Sequence, residues 1–218
     1  MARKHVPITA DYPYHITART VNREAFPINL GEAWDIYTEQ LNFCRSAYSI
    51  DIFAFVMMTN HFHLLCKCQH PNLDKFMHHF MRETSRYING AAGRINQLYG
   101  GNYYKSLIDS DKYFQAAYKY IYRNPIAARL TERAEDYKFS TLRSTIGVDP
   151  IKIPIHDELA LNAGSLDKLL RWINTPYSPE HVKNIKDGLR RSKFSLVKDQ
   201  ITKRHPLEDL DLNFDLDI

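Results

Sequence analysis

The stretch that decides the fold is SIDIFAFVMMTNHFHLLCKC, which spans residues 49–68. Its first half, residues 49–58, is mostly apolar and rich in β-branched and aromatic side chains, which predicts a strand. Thr59 and Asn60 can then turn the chain. Residues 61–68 alternate between the two sides of an extended backbone, as a second strand does. The stretch therefore predicts a β-hairpin.

Further strands and helices are predicted on both sides of this hairpin. Strands are predicted over residues 12–20 and 103–109, and helical spacing predicts helices over residues 32–48, 72–89 and 112–123. The last helix is expected to end at residue 123, because Asn124 precedes a proline and such residues avoid helical geometry. The order β-α-β-β-α-β predicts an α+β fold, a ferredoxin-like (split β-α-β) antiparallel sheet with helices on one side.

Composition changes near residue 150 and divides the chain. Residues 1–150 carry 18 Lys+Arg and 14 Asp+Glu, whereas residues 151–218 carry 11 of each. We expect one domain over 1–150, followed by a helical, partly basic extension over 151–206. The extension shows two helical patterns and a basic run, at 164–174, 179–189 and 190–193. Residues 207–218 contain five acids and no base, which predicts an acidic tail.

The cysteines and hydropathy indicate the compartment. Three cysteines are too few for a disulfide framework, which favours a reducing cytoplasm. Cys66 and Cys68 alternate within an apolar run, so a core position is favoured over a soft-metal site. No apolar run approaches the roughly 20 residues of a membrane span, and no signal peptide is recognisable. The net charge of +4 fits a polyanionic partner.

His61 and His63 are the first candidates for a functional site. Side chains at positions i and i+2 of a strand share a face, so both imidazoles point the same way. Such a pair can chelate one divalent ion. Two polar residues on the solvent face of a sheet would give the same pattern, and spacing alone leaves both interpretations open.

The helix at 112–123 adds a second pair. Tyr120 and Asn124 fall on one flank, four residues apart. The phenol of Tyr120 can attack phosphorus, and the amide oxygen of Asn124 suits Mg²⁺ or Mn²⁺. Alternatively, Tyr120 is one more amphipathic tyrosine and Asn124 is a helix-ending residue.

Four segments occur in an informative order: YHITAR (14–19), MTNHFHLL (58–65), YKSLIDSD (104–111) and YIYRNPIAA (120–128). Together they resemble single-tyrosine HUH transposases, and more specifically the REP-associated tyrosine transposases, relatives of the insertion-sequence enzymes. The similarity covers about residues 10–146. Thr59 stands where a proline is usual, and Thr20-Val21 replaces a glycine-containing turn, but neither departure touches the chemistry.

The resemblance implies a transposase-type endonuclease that cleaves and rejoins single-stranded, hairpin-forming DNA through a 5′-phosphotyrosine intermediate. Tyr120 would be the catalytic nucleophile. A divalent metal, Mg²⁺ or Mn²⁺, would be held by His61, His63 and Asn124. A homodimer and a bacterial cytoplasmic location are also implied.

Basic side chains around these motifs predict contacts to DNA phosphates. The candidates are Arg19, Arg23, Lys75, Arg82, Arg86, Lys105, Lys119 and Arg123. On the helix at 72–89, a solvated exterior would show the same pattern.

Two other functions remain open. A rolling-circle replication initiator or relaxase would use Tyr118 and Tyr122 as a pair, or Tyr12 or Tyr14 before the histidines. A non-catalytic, nucleic-acid-binding ferredoxin-like module would need neither a metal nor Tyr120.

Overall fold

The structure is a computed structural model that describes residues 7–196. The predicted acidic tail, 207–218, and the last part of the predicted extension, 197–206, lie outside the described residues. The strands are β1 (Tyr14–Arg19), β2 (Ile50–Met57), β3 (His61–Cys68) and β4 (Tyr104–Leu107). The helices are α1 (Leu30–Tyr48), α2 (Leu73–Ala91), α3 (Asp111–Ala127), α4 (Leu142–Thr145), α5 (Glu158–Asn162), α6 (Leu166–Asn174) and α7 (Pro179–Gly188).

The predicted hairpin and the ferredoxin-like sheet are both confirmed. Strands β2 and β3 are antiparallel, and the backbone N–H of Met58 donates to the carbonyl of His61 at 2.7 Å across the turn. The sheet order is β2-β3-β1-β4, with every neighbouring pair antiparallel. Within residues 7–196, no helix is long and apolar enough to cross a membrane.

Helices α1 and α2 pack together on one face of the sheet, here called the α1–α2 face. Strand β3 sends Phe62 to this face, where its ring lies 5.6 Å from Tyr37 of α1 and 5.7 Å from Phe80 of α2. Because neighbouring residues of a strand alternate, His61 and His63 point to the opposite face. We call that opposite face the site face.

Helix α3, which follows the six elements of the ferredoxin-like pattern, covers the site face, so helices lie on both sides of the sheet and not on one side as predicted. Because both faces are covered, β2 is apolar from Ile52 to Met57. Phe53 of β2 meets Phe114 of α3 at a ring distance of 5.1 Å, whereas Phe55 packs against Tyr37 on the α1–α2 face. A bulge between Ile52 and Ala54 shifts the register of β2. The two covered faces form two hydrophobic cores. Cys44, Cys66 and Cys68 are buried free thiols, as expected of core residues.

The prediction that helix α3 ends at residue 123 is wrong. The helix continues to Ala127, with Pro125 inside it. A proline removes only one backbone donor when it falls in the last turn. The side-chain amide of Asn124 replaces part of this loss, since Nδ2 donates to the carbonyl of Tyr120 at 2.8 Å and approaches that of Ile121 at 3.4 Å. The carbonyl of Ile121 is the one that residue 125 would otherwise satisfy.

The helical extension is present and packs on α3. Helices α6 and α7 both contact α3, and the chain after α7 returns to the free edge of β4. There Leu107 donates its N–H to Ser192 at 2.9 Å, and Phe194 donates its own to Leu107 at 2.8 Å. Lys193 also forms an ion pair with Asp109 at 2.5 Å. Residues 192–194 therefore extend the sheet in parallel with β4.

Candidate active site

His61 and His63 lie side by side on the site face, near the end of β3 that follows the hairpin turn. Their ring centroids are 5.0 Å apart and the ring planes are nearly perpendicular. His61 is half-buried, and His63 is only 5% exposed. The pairing with β1 sets Arg19 opposite His61 and Thr17 opposite His63.

The hairpin turn fixes the proton of His61. Asn60 donates from Nδ2 to the carbonyl of Arg23 at 2.6 Å, so its Oδ1 faces Nδ1 of His61 at 2.7 Å. An amide oxygen can only accept, so Nδ1 of His61 must carry the proton. The lone pair of His61 is therefore on Nε2.

His63 has a buried ring nitrogen without a partner. Its Nδ1 lies 2.9 Å from Nε2 of His15 on β1, and the two rings are stacked with centroids 5.2 Å apart. Its Nε2 is buried and makes no hydrogen bond. A buried polar atom left unsatisfied in this way is costly unless a ligand meets it.

All three histidines are neutral near pH 7. Burial lowers the pKa of His15 to about 3. Burial, and after it the charge of Arg19, lowers the pKa of His61 to about 4. Burial also lowers the pKa of His63, with further contributions from His15, His61 and Arg19. Neutral imidazoles keep the lone pair that a metal ligand needs.

Tyr120 stands against this histidine group. Its ring is perpendicular to that of His63 at 5.9 Å and to that of His15 at 6.4 Å. Burial raises the pKa of Tyr120, and the positive charges of Arg190 and Arg19 oppose this shift. Arg190 belongs to the segment after α7, so the extension contributes a cation to the site.

Asn124 lies one turn after Tyr120 and is half-buried. It makes no hydrogen bond to either histidine of β3, and its amide nitrogen is bound to its own helix. Within residues 7–196, no group of three or more His, Cys, Asp or Glu side chains is arranged to hold a metal ion. An ion bound by His61 and His63 would therefore need a ligand of another kind, and Asn124 offers an amide oxygen.

The predicted DNA-contacting residues fall into separate groups. Arg19 and Arg23 are exposed near His61. Four others lie on the opposite side of the sheet, on or beside α2: Lys75, Arg82, Arg86 and Lys105. Of these, Arg82 and Arg86 bind Glu83 at 2.8 and 2.7 Å, and Lys105 binds Asp74 at 2.8 Å. Arg82 and Lys105 also line a cavity of about 780 Å³.

The structure places Lys119 and Arg123 in a different role from the one predicted. Lys119 is 3% exposed, and its Nζ lies over the rings of Trp172 and Tyr177 at 5.1 and 4.3 Å. Arg123 donates from Nη1 to the carbonyls of Ile173 and Asn174 at 2.9 and 2.5 Å. Because α6 and the residues after it cover this flank of α3, both side chains hold the extension instead of facing DNA.

The alternative tyrosines differ in their access to a substrate. Tyr118 and Tyr122 are at most 1% exposed, and their hydroxyls are bound to Asp157 and Thr141. The Tyr14 hydroxyl is bound to Thr9, and its ring lies in the core of the α1–α2 face. Tyr12 is 41% exposed. A buried tyrosine pair on α3 does not fit a two-tyrosine mechanism.

Sequence reasoning did not place His15 or Arg190 in this site. His15 stood within the segment at 14–19, but its contact with His63 depends on the pairing of β1 with β3. Arg190 stood within a basic run whose position in space no local pattern reveals.

Comparison with known proteins identifies the family. The family model described as "Transposase IS200 like" matches residues 9–124. A solved structure of a REP-associated tyrosine transposase bound to a REP hairpin is 19% identical, with a TM-score of 0.57 over 71% of this chain and 92% of that chain. A candidate transposase from Deinococcus radiodurans R1 is 17% identical, with a TM-score of 0.39 over 52% of this chain and 92% of that one. No curated protein matches. The family match spans more than half of the residues, and the chain belongs to the IS200-like transposase family.

Proposed function

We propose that this transposase cleaves and rejoins single-stranded, hairpin-forming DNA through a covalent 5′-phosphotyrosine bond to Tyr120. The observation that carries the proposal is the buried, unpartnered Nε2 of His63, beside the Nε2 lone pair of His61 and facing the Tyr120 ring. A nucleophile beside two imidazole nitrogens that can bind one ion suits metal-assisted phosphoryl transfer.

The ion proposed is Mg²⁺ or Mn²⁺: the amide oxygen of Asn124 suits either ion, whereas imidazole nitrogen is a donor that other divalent ions also accept. His61, His63 and Asn124 would hold the ion, as two neutral imidazoles and one amide oxygen. When bound, such an ion supplies Lewis-acid polarisation of a non-bridging phosphate oxygen. The other tasks fall to side chains of the protein.

Tyr120 would supply the attacking oxygen. Its phenol oxygen forms a bond to phosphorus, the bond from phosphorus to the 3′-oxygen breaks, the phenol proton is released, and the 3′-oxygen takes up a proton. The phosphodiester is conserved in the covalent link, so the 3′-hydroxyl of another strand can reverse the step without ATP. Arg19 and Arg190 act electrostatically on Tyr120 and would favour both the phenolate and the approach of a phosphate.

Hairpin DNA is proposed as the substrate because the fold is that of a transposase whose structure holds a REP hairpin. The exposed cations Arg19 and Arg23 near His61 would contact its phosphates. The homodimer that the resemblance implies stays a prediction, which sedimentation equilibrium would check.

The proposal is tested with single-stranded hairpins drawn from the DNA that flanks the gene, labelled at the 3′ or the 5′ end and incubated with and without Mg²⁺. We expect a Mg²⁺-dependent adduct that retains the 3′ fragment, and we expect Tyr120→Phe to abolish it while hairpin binding persists.

Tyr12→Phe is the matched control, because Tyr12 is the exposed tyrosine that a relaxase-type site would use. An adduct that survives Tyr120→Phe and is lost in Tyr12→Phe would contradict the proposal.

A further inference from the structure

His15 is a buried polar residue to which the reaction proposed above gives no task. It is 3% exposed on the site face, beside Tyr120 and His63, and its Nε2 lies 2.9 Å from Nδ1 of His63. A histidine held in this way among aromatic rings could simply fill the core. The hydrogen bond, however, has a consequence for the other nitrogen of His63.

Two neutral imidazoles can share this hydrogen bond in two ways. If His15 donates, Nδ1 of His63 is the acceptor and Nε2 of His63 carries a hydrogen. That hydrogen would be buried without an acceptor and would block coordination. If His63 donates, its Nε2 presents a bare lone pair. Only the second arrangement makes the buried Nε2 useful to a cation.

His61 shows the same arrangement with a different partner. Its Nδ1 donates to Oδ1 of Asn60 at 2.7 Å, which leaves its Nε2 free. Metal-binding histidines generally donate their second N–H to a neighbouring acceptor, which fixes both the tautomer and the ring orientation. Asn60 meets this need for His61. The group in the corresponding place for His63 is His15 of β1.

We propose that His15 is a positioning residue: it accepts the Nδ1–H of His63 and thereby directs the Nε2 lone pair of His63 toward a divalent cation held with His61. The inference rests on the proposed function, since it presumes a cation at this histidine pair. It adds a specific residue, a specific tautomer and a specific acceptor.

The tautomer is tested directly on the unaltered protein. Long-range ¹H–¹⁵N correlation spectra of the metal-free chain at pH 7.5 distinguish the two protonated nitrogens of a histidine. We expect His63 in the Nδ1–H form and His15 accepting at Nε2. A His63 ring protonated at Nε2 would overturn the inference, whatever any variant does.

Metal affinity is tested with Mn²⁺ alone, by following free Mn²⁺ with electron paramagnetic resonance. His15→Leu removes the acceptor at similar volume and is expected to weaken Mn²⁺ binding by about 10- to 100-fold. His15→Gln keeps an acceptor oxygen and is expected to restore most of that loss. Thermal unfolding of both variants checks that they fold.

The variant His61→Ala separates failure of the inference from failure of the proposed function. If His61→Ala abolishes Mn²⁺ binding while His15→Leu binds as tightly as the unaltered protein, the role of His15 is wrong and the metal site stands. If the unaltered protein does not bind Mn²⁺, or His61→Ala binds equally well, the metal site itself is wrong and the role of His15 is lost with it.

Discussion

Tyr120 is subject to two opposing electrostatic effects. Burial against the histidines raises the pKa of its phenol, and the charges of Arg190 and Arg19 lower it. Arg19 comes from β1 and Arg190 from the segment after α7, so two distant parts of the chain act on one hydroxyl. The side chain of Arg190 is 69% exposed and forms an ion pair with Asp187 at 3.3 Å, so a DNA phosphate would compete with that carboxylate for it.

We expect Arg190→Ala to slow DNA cleavage about 10-fold, because one positive charge near the reacting phosphate is lost. The salt dependence of hairpin binding should also fall by about one unit of slope. Single-turnover cleavage and a binding titration between low and high salt would measure both.

Arg191→Ala is the matched control for this prediction, because Arg191 is the neighbouring arginine in the same basic run, and the charges that act on the pKa of Tyr120 are those of Arg190 and Arg19. Equal losses in the two variants would show that the effect is a general one of the basic run.

Lys119 is a buried cation whose charge opposes folding. Burial, and then the neighbouring Arg123, lowers the pKa of Lys119 from 10.5 to about 8. Between about pH 8 and about pH 10 the unfolded chain therefore holds a proton that the folded chain has lost, and the free energy of unfolding rises with pH. Contacts with the rings of Trp172 and Tyr177 offset part of this cost at lower pH.

We expect Lys119→Met to raise the free energy of unfolding at pH 7 by about 1 kcal/mol. The increase with pH should disappear in the same variant. Urea denaturation of this variant at several pH values measures both effects. Lys75→Met, on the exposed side of α2, is the control. A variant that keeps the pH dependence would show that another group causes it.

At the scale of elements, α3 is fixed by a buried polar group as well as by apolar packing. Asp157, just before α5, accepts hydrogen bonds from the hydroxyls of Tyr118 and Thr145 at 2.6 and 2.9 Å. Its other oxygen accepts the N–H of Ala160 at 2.9 Å and caps α5. One carboxylate thus links α3 to the extension.

We expect Asp157→Ala to lower the free energy of unfolding by about 2–4 kcal/mol, because the buried hydroxyl of Tyr118 and the half-buried hydroxyl of Thr145 lose their acceptor and a helix loses its cap. Asp167→Ala, an exposed first-turn residue of α6, should change it by less than about 1 kcal/mol. Chemical denaturation followed by circular dichroism distinguishes the two. Equal, small effects would mean that solvent reaches the Asp157 site.

The elements that sequence reasoning found are those with a strong local pattern. Alternation in residues 61–68 predicted β3 and put His61 and His63 on one face, and helical spacing put Tyr120 and Asn124 on one flank. The end of α3 was missed, because the rule for residues before proline does not include the compensating bonds of Asn124. Local pattern was also unable to show which face α3 would cover.

The partners of the site residues depend on long-range register, which local spacing does not contain. His15 meets His63 only because β1 pairs with β3 so that Thr17 lies opposite His63. Lys119 and Arg123 were predicted to contact phosphates because the sequence does not show where α6 packs. In the structure, α6 and the residues after it cover both side chains.

At the scale of the whole molecule, the extension forms an additional layer over the site face. Its anchor is Phe194, which is fully buried and whose ring lies 4.6 Å from that of Tyr113 of α3, tilted by 35°. A Cβ at Gly188 would lie 2.5 Å from the Phe194 ring, so only glycine allows the chain to pass this closely. The adjacent residue Lys193 pairs with Leu107 at the edge of β4. Arg190 lies in the chain between Gly188 and Lys193.

Phe194→Ala is expected to release this layer without unfolding the sheet. The loss of a buried ring should cost about 3–4 kcal/mol, and the segment that depends on it is residues 179–196. Hydrogen exchange should therefore accelerate there while β1 and β3 stay protected. Cleavage should fall at least as far as in Arg190→Ala, because Arg190 loses its support.

Leu161→Ala, at an 82% exposed position of α5, is the control. Faster exchange throughout the sheet would instead mean that the extension and the sheet unfold as one unit.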